Sequence, residues 1–500
     1  MKNKKVGFVF LSFLTIVFLF CYSKKTYAKS YSDYQTKIVN NHKFNIYRFL
    51  TKSGPKSVMS NTKTLHYGNY QSKLMRKNHH QRYWYVLIDG HNAGWVNEKA
   101  FQRNKISVAK NVSLVYNPVY NFPVRDAINY VTDKHGTSVS ANKVKASQLS
   151  VSSKDIGEHN IKYSYDKAHA YSTVVVRKDQ NEGIVKPKIK AQPGKSTSTW
   201  KHHFKSSGNW GKSYAPETKS HVLISGGLKL RTVFYQPATL SQGNTLRGTV
   251  GPTPEGMTIS NGRVYISMYL DPNLQHAKVV SYKLNKVPNK YDLQKLPWLP
   301  WNKFVSFAKY IKVSPLIKMG HGQSLSSTKK YLYVIANDHL LKNSFNSEEI
   351  IQIKKSNLQI KKIWTFRIWN ISKKYSYYIH NAVFVNDHEF YAVFHNSTRH
   401  KFQYWRVVRH GNKWIPKEVG VTQGEFMKNN SPVQGFTYNT SNQQFYLAFN
   451  DYIFRIARNG RLLNTSHFHT GREFEGISID KNKLYAELAE RPELMASLIK

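Results

Sequence analysis

The chain has 500 residues, with 75 Lys and Arg against 28 Asp and Glu, a formal charge of +47, and a hydrophobic fraction of 40%. That length accommodates roughly three domains with sizeable cores, and the single cysteine excludes both a disulfide framework and thiol chemistry. The 33 Tyr and 26 Phe, with almost no helical periodicity, favour strands over helices.

The first element is a secretory leader over residues 1–28. Lys2, Lys4 and Lys5 form a charged start, Val6 to Phe20 an apolar run, and Thr26-Tyr27-Ala28 a small-residue cleavage pattern. An uncleaved anchor is the alternative, although the run is short for spanning a bilayer. Cys21, the only cysteine, lies inside this leader, so the exported chain has none. Export argues against nucleic acid as the physiological partner of so basic a chain. It favours the phosphate polymers outside a Gram-positive cell, teichoic and lipoteichoic acid, bound through counterion release and weakened by salt.

Residues 35–105 read as a compact β unit. Its signature is Tyr83-Trp84-Tyr85-Val86-Leu87-Ile88-Asp89-Gly90-His91-Asn92-Ala93-Gly94-Trp95-Val96, two strands about a turn followed by a Gly-Trp pair. On Trp84, Gly90, Gly94, Trp95 and Val96 this resembles the GW module, a bacterial SH3-like barrel. The resemblance implies non-covalent attachment to lipoteichoic acid or the cell wall without catalysis, with the Trp of the pair structural. The candidate polyanion contacts are Lys73, Arg76, Lys77, His79, His80 and Arg82.

Residues 115–178 read as a small β-sandwich, from Arg125-Asp126-Ala127-Ile128 through the turn Asp133-Lys134-His135-Gly136 to the Val-rich strand Ser172–Arg177. The unit resembles the bacterial Ig-like domains of surface proteins, which implies a spacer. Residues 179–199, with Lys186-Pro187-Lys188 and Ser196-Thr197-Ser198-Thr199, form the linker.

From residue 200 to 500 one pattern recurs at intervals of roughly 40–65 residues. Pro254-Glu255-Gly256-Met257 leads through an Asn261-Gly262 turn to a strand carrying Tyr265. His321-Gly322-Gln323-Ser324, His380-Asn381-Ala382, Gln434-Gly435-Phe436 and Glu475-Gly476-Ile477 lead likewise to strands carrying Tyr333, Tyr391, Tyr446 and Tyr485. Five repeats, with Leu228–Tyr235 as a first irregular blade or a ring-closing strand, predict a β-propeller of five or six blades. The expected fold class is all-β: SH3-like barrel, Ig-like sandwich, then propeller. The repeat style of residues 204–500 is similar to helveticin-J-like bacteriocin proteins of lactobacilli, which implies an antagonistic or surface-associated role.

The repeat places Glu255, His321, His380, Gln434 and Glu475 at one register, facing the mouth of a central channel. There they could bind a small polar ligand, a sugar or a metal, or simply cap strand ends. Trp298 and Trp301, in Leu296-Pro297-Trp298-Leu299-Pro300-Trp301, are candidates to stack on sugar rings over that mouth. Glu255 and Glu475 are the only candidate catalytic pair, in glycosidic acid/base work. No phosphate loop, His-Glu-x-x-His, Cys-x-x-Cys or Gly-x-Ser-x-Gly is present, so no metal or cofactor is assigned. With no Leu-Pro-x-Thr-Gly sorting signal, attachment to the cell surface is expected to be non-covalent. The preferred reading is a secreted envelope protein bound to teichoic acid and cell-wall glycan, with a propeller that takes a carbohydrate or protein ligand. The alternatives are a glycan-acting enzyme and a bacteriocin-like antagonist.

Overall fold

The computed structural model describes residues 28–65, 69–178, 183, 189–194, 216–237, 253–271, 276–287, 289–337, 347–379, 381–427, 432–489 and 492–499. The expected leader up to residue 27, most of the expected linker and His380 lie outside the described residues. None of the described helices is long and apolar enough to cross a membrane.

Five antiparallel sheets account for the repeats. The first comprises Thr253–Ser260, Arg263–Asp271, His276–Lys283 and Ile311–Val313; the second Ser326–Ser327, Tyr331–Asn337, Glu348–Lys354 and Ile360–Phe366. The third runs from Asn381–Asn386 through Glu389–Asn396 and Lys401–His410 to Lys413–Gln423. The fourth is Gly435–Asn439, Gln444–Phe449, Tyr452–Ala457 and Leu462–His467. The fifth combines Phe474–Asp480, Lys483–Leu488 and Glu493–Leu498 with Leu228–Tyr235 and Val222–Ser225 from 240 residues earlier, roughly. Leu228–Tyr235 therefore completes the last sheet and is not a blade of its own. In the first sheet Asn261 and Gly262 both have positive φ, at 53° and 66°, between the paired Ser260 and Arg263. This is the two-residue turn that Asn-Gly favours.

The first strand of each sheet packs against the first strands of two others, in the cyclic order first, second, third, fourth, fifth, first. The arrangement is propeller-like. Glycines permit the approach. A Cβ on Gly256 would stand 2.2 Å from the Gly322 carbonyl oxygen, and one on Gly476 would stand 2.7 Å from the Met257 nitrogen. Serine hydroxyls bridge neighbouring strands: Ser326 accepts from the Phe384 N–H at 3.1 Å, and Ser478 from the Ile259 N–H at 3.2 Å. Apolar clusters fill the spaces between successive sheets. Tyr333, Trp364, Phe384 and Trp405 lie between the second and third; Tyr404, Phe436, Phe445 and Phe454 lie between the third and fourth.

The N-terminal unit is a six-stranded sheet in the order Ala28–Ile38, Asn69–Asn78, Gln81–Ile88, His91–Asn97, Asn45–Thr51, Gly54–Asn61. Among the described residues no ladder closes it into a barrel. Trp84 is buried in its core and donates to Glu98 at 2.8 Å. Trp95 packs edge-on to Tyr85, and Gly94 lies where a Cβ would be 2.4 Å from the Tyr47 carbonyl. The next unit shares a sheet with the ring. Asn111–Val115 runs parallel to Ala168–Arg177 on one side and to Ile360–Phe366 on the other, giving eight strands in all. Of the linker, Gln192–Pro193 adds a short parallel strand beside Thr422–Gln423.

Candidate functional site

The repeat register converges on the ring axis. Glu255 precedes Gly256 in the first strand of the first sheet, Gln434 precedes Gly435 in the fourth, and Glu475 precedes Gly476 in the fifth; all three side chains are buried. In the second sheet that register belongs to Gln323 and not to His321. Ser324 stands where the first, fourth and fifth repeats carry Gly, and its hydroxyl accepts from the Ile335 N–H of the next strand at 2.7 Å. His321 lies two residues earlier and exposed, with its ring 5.0 Å from Tyr269. The third repeat's residue, His380, lies outside the described residues. Its neighbour Asn381 is buried and donates to the Val433 carbonyl at 2.6 Å, tying the third sheet to the fourth.

These groups form one polar cluster. Gln323 donates to the Gln434 side chain at 2.6 Å, linking the second sheet to the fourth across the axis, and also hydrogen-bonds Glu255. A further carboxyl, Glu473, joins from the fifth sheet, held by Asn450 at 2.7 Å. Burial, with the charge of Glu473 behind it, pushes Glu255 up to about 8; the hydrogen bond from Gln323 works the other way. Burial, then the nearby Glu255 and Glu473, hold Glu475 well above the usual carboxylate range. Both carboxyls are therefore shifted toward their neutral forms, and a protonated carboxyl both donates and accepts.

Around the fifth sheet the carboxyls continue. Glu487 is fully buried and accepts from Gln236; burial raises it strongly, against the opposing charge of Arg472. Glu493 is fully buried too, yet well partnered: Thr232 donates at 2.6 Å, Arg472 at 2.7 Å, and His221 lies at 3.0 Å. The contrast separates a structural carboxylate, Glu493, from the under-compensated set of Glu255, Glu475 and Glu487. Among the described residues no group of three or more His, Cys, Asp or Glu has the geometry to hold a metal ion. What the described side chains of the cluster offer is hydrogen bonds and a proton.

Comparison with known proteins adds no identity. No family model matches the chain, and no curated protein matches it. Among solved structures it is similar to Myxococcus xanthus glutaminyl cyclase, at 9% identity over 56% of this chain and 97% of that one, with a TM-score of 0.31. It is also similar to the Cps50 (Swd1) β-propeller domain of Myceliophteria thermophila, at 11% identity, 47% and 62% coverage and a TM-score of 0.26. The third is Staphylococcus aureus virginiamycin B lyase, at 11% identity, 55% and 100% coverage and a TM-score of 0.29. At such scores the likeness decides nothing about fold or chemistry, and both rest on the strand order and side chains above.

The two tryptophans do not overhang this cluster. Trp301 opens the helix Trp301–Ala308 and stacks on Phe304 at 5.5 Å, with His91 of the N-terminal sheet 6.2 Å away. The segment that bears them runs between the third and fourth strands of the first sheet, so it is carried to the N-terminal sheet and away from the inner strands. Trp298 beside it is 54% exposed.

The basic residues occupy one hairpin, Asn69–Asn78 with Gln81–Ile88. Lys77 pairs across it with Arg82, and Lys77, His79, His80 and Arg82 are exposed at its tip. Arg82 also lies 3.6 Å from Glu98. Lys73 lies over Tyr34 at 4.5 Å, and Arg76 lies over Trp95 at 5.1 Å while donating to the Leu50 carbonyl. Composition could not separate these two subsets, because the separation depends on what each side chain packs against. Gln323, Glu473 and Glu487 were missed in sequence. Gln323 could have been found by counting back from the Thr328–Tyr331 turn, as the other repeats count back from theirs.

Proposed function

We propose that this chain is an exported envelope-binding protein whose ring centre receives an uncharged, hydroxyl-rich ligand, a carbohydrate of the cell wall. One observation carries the reading: Glu255, Gln323, Gln434 and Glu475, from four different sheets, form one cluster of two amides and two carboxyls, all buried but the half-buried Gln323, with the carboxyls shifted toward neutrality. Such groups donate and accept at once, as sugar hydroxyls require. Retaining under-compensated acids costs stability, and a site for a ligand is a reason to retain them. The five sheets are read as a five-bladed propeller and the N-terminal sheet as an SH3-like wall-binding module. The unit that follows is read as an Ig-like spacer, and the C-terminal repeats as akin to helveticin-J-like proteins. Teichoic or lipoteichoic acid would be held by the +47 chain, with Lys77, His79, His80 and Arg82 at the exposed hairpin tip as the leading contacts.

The test is calorimetric titration of the mature chain with soluble wall fragments, muropeptides and teichoic-acid-free glycan. Expected are binding by the wild type and at least tenfold weaker binding by Gln434→Ala and Glu475→Gln. Equal binding by all three would overturn the ring-centre assignment. The raised carboxyls also suit a general acid, so the same fragments should be followed for cleavage. Hydrolysis lost in Glu475→Gln would replace the binding reading by the enzymatic one.

A further inference from the structure

A second cavity, remote from the ring axis, lies where four parts of the chain meet. Ile38–Asn41 and Thr62–Leu65 of the N-terminal sheet form one wall, and Tyr130 of the following unit forms another. Lys312–Pro315 of the first sheet and Ser356–Gln359 of the second complete a cleft of about 320 Å³. Its lining contains two lysines, Lys63 and Lys312, and no carboxylate. Most of the lining polar groups are already engaged. Gln359 bonds Ser107 and Tyr130, Asn357 accepts from the Gln359 N–H, and Ser314 accepts from the Val279 N–H.

Lys312 is less well provided for. It is half-buried, and its ammonium donates to the Ser356 carbonyl at 3.2 Å. Burial lowers its pKa, and the positive charge of Arg263 lowers it further. Arg263 is itself fixed by the Tyr310 carbonyl and Ser281, which are neutral partners. Lys312 therefore lines the cleft with a second cation, Arg263, near enough to act on it, and with a carbonyl as partner where a carboxylate would neutralise it. Exposed Lys63 and Asn41 stand at the rim. An anion entering the cleft would relieve both the desolvation and the like-charge repulsion.

We propose that this cleft is a binding site for a small phosphate ester, its phosphate against Lys312 and its hydroxylated remainder toward Asn41 and Lys63. The volume is at the lower end of small-molecule pockets, which fits a ligand the size of a polyol phosphate. A lysine serves phosphate as a point charge without the fixed fork that arginine requires. The site is independent of the ring-centre reading, since it shares no residue with that cluster.

The test is titration of the mature chain with sn-glycerol 3-phosphate and, as the uncharged control, glycerol. Wild type should bind the phosphate ester and not glycerol. Lys312→Met should weaken binding at least tenfold. Lys309→Gln, which removes a nearby surface charge outside the lining, should leave it within twofold. Asn41→Trp alters an exposed rim position and blocks the mouth while keeping both lysines, so it should also abolish binding even if Lys312→Met fails to fold. The proposal is overturned if glycerol 3-phosphate does not bind, if Asn41→Trp binds as wild type does, or if Lys309→Gln weakens binding as much as Lys312→Met.

Discussion

Replacing Glu255 by Gln should make the protein more stable in alkaline solution and leave it unchanged in acid. Glu255 is 6% exposed, and burial beside Glu473 raises its pKa from 4.5 to about 8. Between those two values the folded chain retains a proton that the unfolded chain has released. Stability therefore falls as pH rises from 4.5 to 8 and is level beyond. At about 1.4 kcal/mol per pH unit the full loss from this residue is of order 5 kcal/mol, a large share of the stability of an ordinary domain. An amide has nearly the same shape, keeps a partner for Gln323 and does not ionise. Urea unfolding of wild type and Glu255→Gln, followed by tryptophan fluorescence at pH 4.5, 6, 7, 8 and 9, reads the effect directly. The two should coincide at pH 4.5 and diverge by several kcal/mol at pH 9. Parallel curves across this range would refute the claim that Glu255 is buried without a compensating charge.

Three further outcomes follow from the packing. Gly256→Ala should destabilise the chain by about 3 kcal/mol or more, since its Cβ meets backbone at 2.2 Å, whereas Gly262→Ala, with open space around it, should cost only the roughly 1 kcal/mol of a positive φ. Denaturant midpoints of the pair check the close approach of the inner strands. Lys37, fully buried with its ammonium 3.2 Å from the Trp84 ring centroid, is lowered by burial to about 7. Its folded pKa lies below its unfolded 10.5, so its cost to stability is relieved as pH rises from 7 to 10.5, and Lys37→Met should remove that rise from the unfolding profile. A fragment of residues 216–499 should self-associate, because Ile360–Phe366 loses the strand Asn111–Val115 that covers its edge. A monodisperse monomer in light scattering would show that the edge is protected some other way.

Much of the ring was legible because repetition is a local property. Each repeat carries its own turn, its own alternating strands and a small residue where the inner strands meet. The Asn261-Gly262 turn and the registers of Glu255, Gln434 and Glu475 could therefore be read from spacing alone. The second repeat misled because Ser324 replaces the glycine and Gly322 precedes it, drawing attention to His321. The sheet count was settled only when Leu228–Tyr235 paired with Glu493–Leu498, since a strand's partner across so long a stretch of chain leaves no local trace.

What the sequence determined by itself is the class of structure and its charge: strands, turns, repeats, a single cysteine at position 21, and +47 formal charges. These follow from residue type and short-range periodicity, which the chain carries wherever it folds. Tertiary structure alone decided which acids are left under-compensated, that Arg263 comes near Lys312, that Trp301 serves packing, and that residues 111–115 join a ring sheet. Each of these depends on what lies opposite a side chain or a strand edge after folding. Burial and charge act through space over a few ångströms, and the chain order does not encode those distances.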